Sequence, residues 1–489
     1  VYSDYGISVD EQVSRMNGLV NSKYILNGLG ISVNSITVYK DIPELHDYFD
    51  KDYGAFFEML TVVFELAFGL SEFEEVFKMR HLLTGLLFGL SAILFGALIQ
   101  MKTKSKWMFL VAVIVYFLSP RIFGHGFFNN KDIVGLSFIT IAVFWMYRYA
   151  RSQSYIDLIV FSIFTGLAIN SRLIAGLIPL IAVIGEFKYR TFTSSRHAGQ
   201  LLTFVLITGG IYFIVTPFIW ENPAGNFLEA LSNMSKFRWN GWVFFSGIWQ
   251  PVRDLPWYYL PSWILMTESW FVLLGIIILG LGAIHHLTSK MRLKIDFMNF
   301  FMLCLLVVPL FLVLGLGSTV YDGWRQFYFL HLPLAFFSSQ GWWIASRFLS
   351  VKVGNVGIAI SVFAMVVISV RTIISMHPYQ YGYFNALAGE APETRYEVDY
   401  WCVSYLDALR KLESETKSNK EPLKLFLNGS PLAKKMLADG GAAIDLVPLD
   451  SCDFAISSNR TPINMNSDFN VISEIKRCGV VINRTYARR

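Results

Sequence analysis

Four short stretches of this chain carry residue types that could do chemistry together. The first, Val1-Tyr-Ser-Asp-Tyr-Gly-Ile-Ser-Val-Asp-Glu-Gln12, sets three carboxylates, Asp4, Asp10 and Glu11, among small and aromatic residues. The second, Ser119-Pro-Arg-Ile-Phe-Gly-His-Gly-Phe-Phe-Asn-Asn-Lys-Asp132, places Arg121, His125, Lys131 and Asp132 among Gly and Phe. The third, Val320-Tyr-Asp-Gly-Trp-Arg-Gln-Phe327, offers Asp322 and Arg325 in a turn-like context. The fourth is Arg172, at a junction of two apolar runs with almost no loop, where an ionisable residue is costly unless it faces a polar cavity. A carboxylate can take the proton of an attacking hydroxyl, and cations can neutralise a departing phosphate. Cations beside aromatic rings at a membrane surface suit a lipid-linked phosphate in particular, because rings settle at headgroup level while the cations pair with the anion. The first three also have a plainer reading: a solvated leader, an interfacial loop whose basic residues meet lipid headgroups, and a local Asp322–Arg325 ion pair.

The elements that must position these residues are mostly membrane spans. Of the 489 residues 54% are hydrophobic and only 16% charged, and the mean hydropathy is +0.47. Soluble domains carry about a quarter charged residues, so the composition belongs to an integral membrane protein. The net charge of +5 is small and spread through loops, which gives no reason to propose a nucleic-acid partner. Residues 1–80 form a first outside loop, in which 55–70 reads as an amphipathic helix that either lies in the membrane interface or packs on a soluble core. Ten spans follow within 81–376: 81–101, 107–119, 136–150, 155–171, 173–187, 201–220, 269–287, 297–317, 327–348 and 356–374. Every second connection is basic, with Lys102, Lys104 and Lys106, then Arg148 and Arg151, then Lys188, Arg190 and Arg196, then Lys290, Arg292 and Lys294, then Arg347 and Lys352. That phase puts these loops in the cytoplasm and all four chemical stretches outside. Residues 377–489 are a different material. Short apolar runs (423–427, 443–447, 454–456, 479–482) alternate with helix-like stretches such as 404–412, which predicts a small outside α/β domain.

No P-loop, Rossmann fingerprint, HExxH or GxSxG is present, so nucleotide-driven transport and soluble-type hydrolysis lose ground. The four cysteines lack CxxC spacing; a Cys452–Cys478 disulfide is open in an oxidising compartment. No outside cluster of Asp, Glu and His calls for a metal, and no cofactor is expected. A rival class, a transporter or flippase of lipid-linked sugars, would want intramembrane charges or broken helices repeated in two halves, and the apolar runs are nearly free of internal charge.

At the same residues the chain resembles the polyprenyl-phosphate-sugar-dependent glycosyltransferases of the GT-C superfamily, such as the protein O-mannosyltransferases and the lipid A aminoarabinose transferase. The motifs that carry the resemblance lie in order over most of the chain: Asp4-Tyr-Gly-Ile-Ser-Val-Asp-Glu11, Asn129-Asn-Lys-Asp-Ile133, Asp254-Leu-Pro-Trp-Tyr-Tyr-Leu-Pro261 and Tyr321-Asp-Gly-Trp-Arg325. His377-Pro-Tyr-Gln-Tyr-Gly-Tyr-Phe-Asn-Ala-Leu-Ala-Gly389 and Tyr396-Glu-Val-Asp-Tyr-Trp401 follow. The resemblance implies an all-α polytopic membrane bundle of GT-C type with a small C-terminal soluble α/β domain. It implies an inverting enzyme that moves one sugar from a polyprenyl-phosphate donor to an acceptor hydroxyl of a glycan, lipid or protein. It places the active site on the periplasmic or lumenal face, most simply of a bacterial inner membrane. The family's general base falls on Asp10, with Glu11 or Asp4 as a neighbour binding acceptor or tuning its pKa. The donor phosphate falls on Lys131 and Arg325, with His125 and Arg172 as further candidates. The family also has a span ahead of the first loop, which would make eleven with one before Val1.

Overall fold

Long apolar runs dictate helices, because a chain in contact with lipid must satisfy its backbone internally. A computed structural model describes the chain except for residues 34–35, 190–194, 236–240, 289–294, 318, 417–421, 428–443 and 461–467. Its helices are α1 (Val9–Gly28), α2 (Phe56–Ala67), α3 (Phe73–Thr103), α4 (Lys106–Phe117), α5 (Pro120–Phe128), α6 (Asp132–Ser152), α7 (Tyr155–Ser171) and α8 (Leu177–Tyr189). They continue with α9 (Ser195–Ile214), α10 (Pro223–Ser235), α11 (Tyr259–Thr267), α12 (Trp270–Thr288), α13 (Phe297–Leu316), α14 (His331–Met376) and α15 (Tyr405–Thr416). Each of the ten expected spans has a helix over most of its length. Among the described residues five helices are long and apolar enough to cross a membrane, or six if the bent α4–α5 pair is one span. The last two expected spans share α14, broken at Gly354, whose φ of 66° no helix contains.

Three local expectations change. Residues 1–56 show no apolar period, yet 9–28 are helical; α1 buries Glu11, Ser14, Asn17 and Asn21 beside Gly18, Leu19 and Val20, so its buried face is mixed and gives no sustained hydrophobic pattern. The stretch 120–135 was expected as loop, but Pro120 starts α5, which turns 68° from α4. In α2 the acidic side faces inward: Glu58 pairs with Arg80 of α3, and Glu65 with Arg15 of α1. Its outward side carries Val63 and the following Phe68, 58% and 67% exposed.

The C-terminal domain has α15 on a mixed sheet of β3 (Leu423–Leu427), β4 (Ile444–Leu446), β5 (Phe454–Ser457), β6 (Phe469–Arg477) and β7 (Val480–Arg488). The preceding strands, β1 (Trp242–Phe245) and β2 (Ile248–Pro251), form a separate hairpin. The large sheet runs β4-β3-β5-β7-β6, parallel across the first three strands and antiparallel across the last two pairings. Tyr405, Leu409 and Leu412 of α15 pack on Leu425 and Ile456. Cys452 and Cys478 are free thiols, bonded instead to the Leu449 carbonyl and to Ser375 Oγ.

Contacts among the loops fall into two sets. Lys102 pairs with Asp296, Arg151 with the Met101 carbonyl and Arg196 with the Gln153 carbonyl, joining basic loops to one another. The other set meets through Asp10–Arg325, Asp132–Arg172, Asp322–Arg460 and Tyr5–Gln380. All four chemical stretches therefore reach one end of the bundle.

Candidate active site

The start of α1 is anchored on two sides. The Glu11 carboxylate reaches back to the Ser8 N–H at 2.7 Å, as in a capping box, and lies 2.7 Å from His81 Nε2 of α3. The Val9 N–H donates to the Trp401 carbonyl at 3.1 Å. Gly6 lies so close to the Val403 carbonyl that any Cβ there would overlap it. Asp10, between these anchors, is fixed in backbone but open in side chain. Its carboxylate is 32% exposed and has Arg325 Nη1 at 3.7 Å. That is longer than a hydrogen bond.

Arg325 is the hub. Its Nε and Nη2 each lie 3.0 Å from Asp322 Oδ2, and its Nη1 lies 3.6 Å from Asp132 Oδ2 and 3.7 Å from Asp10 Oδ2. The guanidinium lies 5.0 Å from the Tyr321 ring centroid and 4.7 Å from that of Trp401. Burial works against its charge, but Asp322, Tyr321, Asp10 and Asp132 outweigh that and raise its pKa above the ordinary value. The turn that folds Arg325 back onto Asp322 needs left-handed backbone at Asp322 (φ 56°) and Gly323 (φ 71°), and the Gly323 N–H donates to the Tyr259 hydroxyl at 3.0 Å. Asp and Gly are the residues that tolerate this.

Asp132 opens α6. Its N–H donates to Asn129 Oδ1 at 2.9 Å, its carboxylate accepts from Asn129 Nδ2 at 3.0 Å, and Arg172 pairs with it directly. Arg172 thus has the polar partner that its position demands. Lys131 differs from every other cation here. Among the described residues it has no carboxylate oxygen within 4.0 Å, and its ammonium sits 4.7 Å from the Tyr53 ring centroid. Burial pushes its pKa down; Asp10 and Asp50 oppose that, while Arg172 and Arg325 add to it. Tyr53 is held by its neighbour Gly54, which lies against the Asn170 carbonyl with no room for a Cβ. Tyr53 and Arg172 also line a narrow cleft with Asn170 and Thr216.

Asp10, Lys131, Arg172 and Arg325 are therefore one cluster. His125 adjoins it but is enclosed. It is 0% exposed, with Tyr400 Oη 3.0 Å from Nε2 and Asn129 Nδ2 3.3 Å from Nδ1, among Phe128, Tyr328, Tyr381 and Trp401. No ring nitrogen is left to meet a phosphate. Glu11 is buried and occupied by the cap and His81. Asp4 lies elsewhere: it pairs with the Val1 amino group and His377 and lines a pocket with Glu74, Lys78 and Arg410. Glu11 and His125 are thus enclosed beside the cluster, and Asp4 lies apart from it.

The sequence reading gave no chemistry to Tyr396-Glu-Val-Asp-Tyr-Trp401, nor to Arg460. In the structure Trp401 flanks Arg325, and buried Glu397 holds Arg460 at 2.6 Å. Burial, opposed by Arg460 and reinforced by Asp322, pushes the Glu397 carboxyl up to about 7. A carboxyl raised above its unfolded value stabilises the fold fully below that unfolded value and loses the contribution as pH rises through about 7. Thermal unfolding of wild type and Glu397→Gln in detergent should therefore diverge with pH. From about pH 5 to 8 the wild type should lose stability relative to the variant, and a constant difference would contradict the shift.

No family model matches the chain, and no curated protein matches it. Among solved structures it is similar to ArnT from Cupriavidus metallidurans bound to undecaprenyl phosphate, at 12% identity and a TM-score of 0.47, over 99% of this chain and 95% of that one.

Proposed function

We propose that this integral membrane protein is an inverting glycosyltransferase that moves one sugar from a polyprenyl-phosphate carrier to an acceptor hydroxyl. The observation that carries the reading is the pairing of opposites within one cluster: Asp10 is a partly exposed carboxylate loosely held at 3.7 Å, and Lys131 is an ammonium over a tyrosine ring with no carboxylate beside it among the described residues. The other charges there, Asp132, Asp322 and Arg172, already have partners.

In this reading the acceptor O–H gives its proton to Asp10 as its oxygen bonds to the anomeric carbon. The bond from that carbon to the phosphate oxygen breaks, and the carrier phosphate leaves with the extra negative charge. Lys131 neutralises it, with Arg325 across from it and Arg172 behind Asp132. The exposed edge of Asp10 then returns the proton to water. Tyr53, Tyr321 and Trp401 wall the cations and keep the local dielectric low, which strengthens each ionic contact. A single displacement inverts the anomeric centre. NMR of the product of a donor of known anomer should show the opposite configuration; retention would rule out this one-step route. The active site faces the side where the non-basic loops meet, which is the periplasmic side for a bacterial inner membrane.

A further inference from the structure

Arg460 stands just beyond β5, far in sequence from the cluster it touches. Its neighbour Asn459 fixes where it goes: Asn459 Nδ2 donates to the Glu393 and Tyr396 carbonyls at 2.7 and 2.6 Å, and its Oδ1 accepts from the Val398 N–H at 3.0 Å. Ser458 Oγ adds a bond to the Asp399 carbonyl at 3.1 Å. The end of β5 is thereby stitched to the segment that carries Glu397 and Trp401. From that platform Arg460 Nη1 lies 2.6 Å from Glu397 Oε1 and 2.8 Å from Asp322 Oδ1. Glu397 in turn accepts from the Phe244 N–H of the β1–β2 hairpin at 3.0 Å.

Asp322 therefore carries an arginine on each oxygen, Arg460 on Oδ1 and Arg325 on Oδ2. The consequence follows from the distances. Among the described residues Arg325 is hydrogen-bonded only to Asp322, at 3.0 Å; its approaches to Asp132 and Asp10, at 3.6 and 3.7 Å, are too long to set its place. Where Asp322 points decides where the guanidinium stands. Arg460 is the charge paired with the far oxygen of Asp322, an ion pair at 2.8 Å without hydrogen-bond geometry, and the hydrogen bond to buried Glu397 keeps Arg460 from swinging away.

We propose that Arg460 is a positioning residue: by gripping Asp322 on the side away from Arg325, it fixes the guanidinium that stands beside Asp10 and Asp132. The C-terminal domain is then a structural part of the site rather than an appendage to it. This deepens the transferase reading and rests on it only for what the fixed guanidinium does.

The test uses full-length protein carrying Arg460→Gln, which keeps the length and a hydrogen-bonding end but removes the charge, and Arg460→Lys, which restores the charge. Cryo-electron microscopy with a rigid binding fragment reads the position of Arg325. In Arg460→Gln the guanidinium should leave Asp10, opening the contact beyond about 5 Å, and in Arg460→Lys it should return. An Arg325 that stays in place in both variants overturns the proposal. Binding of undecaprenyl phosphate separates this from the function. The Kd should rise about tenfold in Arg460→Gln and recover in Arg460→Lys, and the Arg460→Gln effect should vanish on an Arg325→Ala background. If Arg325 moves while the Kd is unchanged, the positioning role holds and a phosphate role for Arg325 falls. An undiminished effect in the absence of Arg325 shows that Arg460 acts by some other route and overturns the proposal.

Discussion

Asp10→Asn protein is expected to lose sugar transfer by at least about a hundredfold while folding and binding the carrier as the wild type does. The change keeps shape and polarity but removes the proton acceptor. The anchors of that turn, Glu11 to Ser8 and His81 and Val9 to Trp401, do not use the Asp10 carboxylate. The cost to the helix is the lost charge in the first turn, about 0.3–1 kcal/mol. Carrier affinity should stay level or improve slightly, since an anion leaves the neighbourhood of the incoming phosphate. Kinetics and carrier binding on the same preparation check both halves. A variant that turns over within a few-fold of wild type removes Asp10 from the chemistry.

Lys131→Ala should act on the other substrate. A charge-assisted contact to phosphate is worth about 1.5–3 kcal/mol, so the donor KM should rise by roughly ten- to a hundredfold. Acceptor KM should change little, and Lys131→Arg should recover part of the loss. The pH dependence has a definite sign. Burial lowers the Lys131 pKa, and only the protonated form attracts the phosphate, so donor affinity should begin to fall at lower pH than for an ordinary lysine. An unchanged donor KM in Lys131→Ala would mean that the phosphate sits elsewhere.

Much of the fold was legible because hydrophobic runs leave few choices. The apolar run 155–171 forms the helix α7, shorter than a full span, and the run 423–427 forms the strand β3. What escaped was built from polar contacts. α1 buries the polar Glu11, Ser14, Asn17 and Asn21 beside Gly18, Leu19 and Val20, so no sustained apolar stripe announces the helix, and the acidic side of α2 faces Arg80 and Arg15 instead of solvent. β6 has mixed burial along its length and a register shift after Val471, which blurs its alternation.

The site was legible as charges and illegible as partnerships. Outside position and residue type singled out Asp10, Lys131, Arg172 and Arg325, and the fold brings them together. Type alone could not tell an open carboxylate from an occupied one. Glu11 follows Asp10 directly, yet the helix turns it toward Ser8 and His81. His125 looked like a phosphate ligand from its loop, but aromatic rings close around it only after α5 packs on the 379–401 segment. Arg460 contacts Asp322 across more than a hundred intervening residues, and no local pattern marks such a pair.

The most direct test of the account is to incubate the purified wild-type protein with a panel of polyprenyl-phosphate-linked sugars and a source of acceptors, and to measure release of the free carrier phosphate. The account predicts release from one sugar donor, dependent on acceptor and absent with Asp10→Asn. Release that continues undiminished with Asp10→Asn, or none from any donor across the panel, would contradict it.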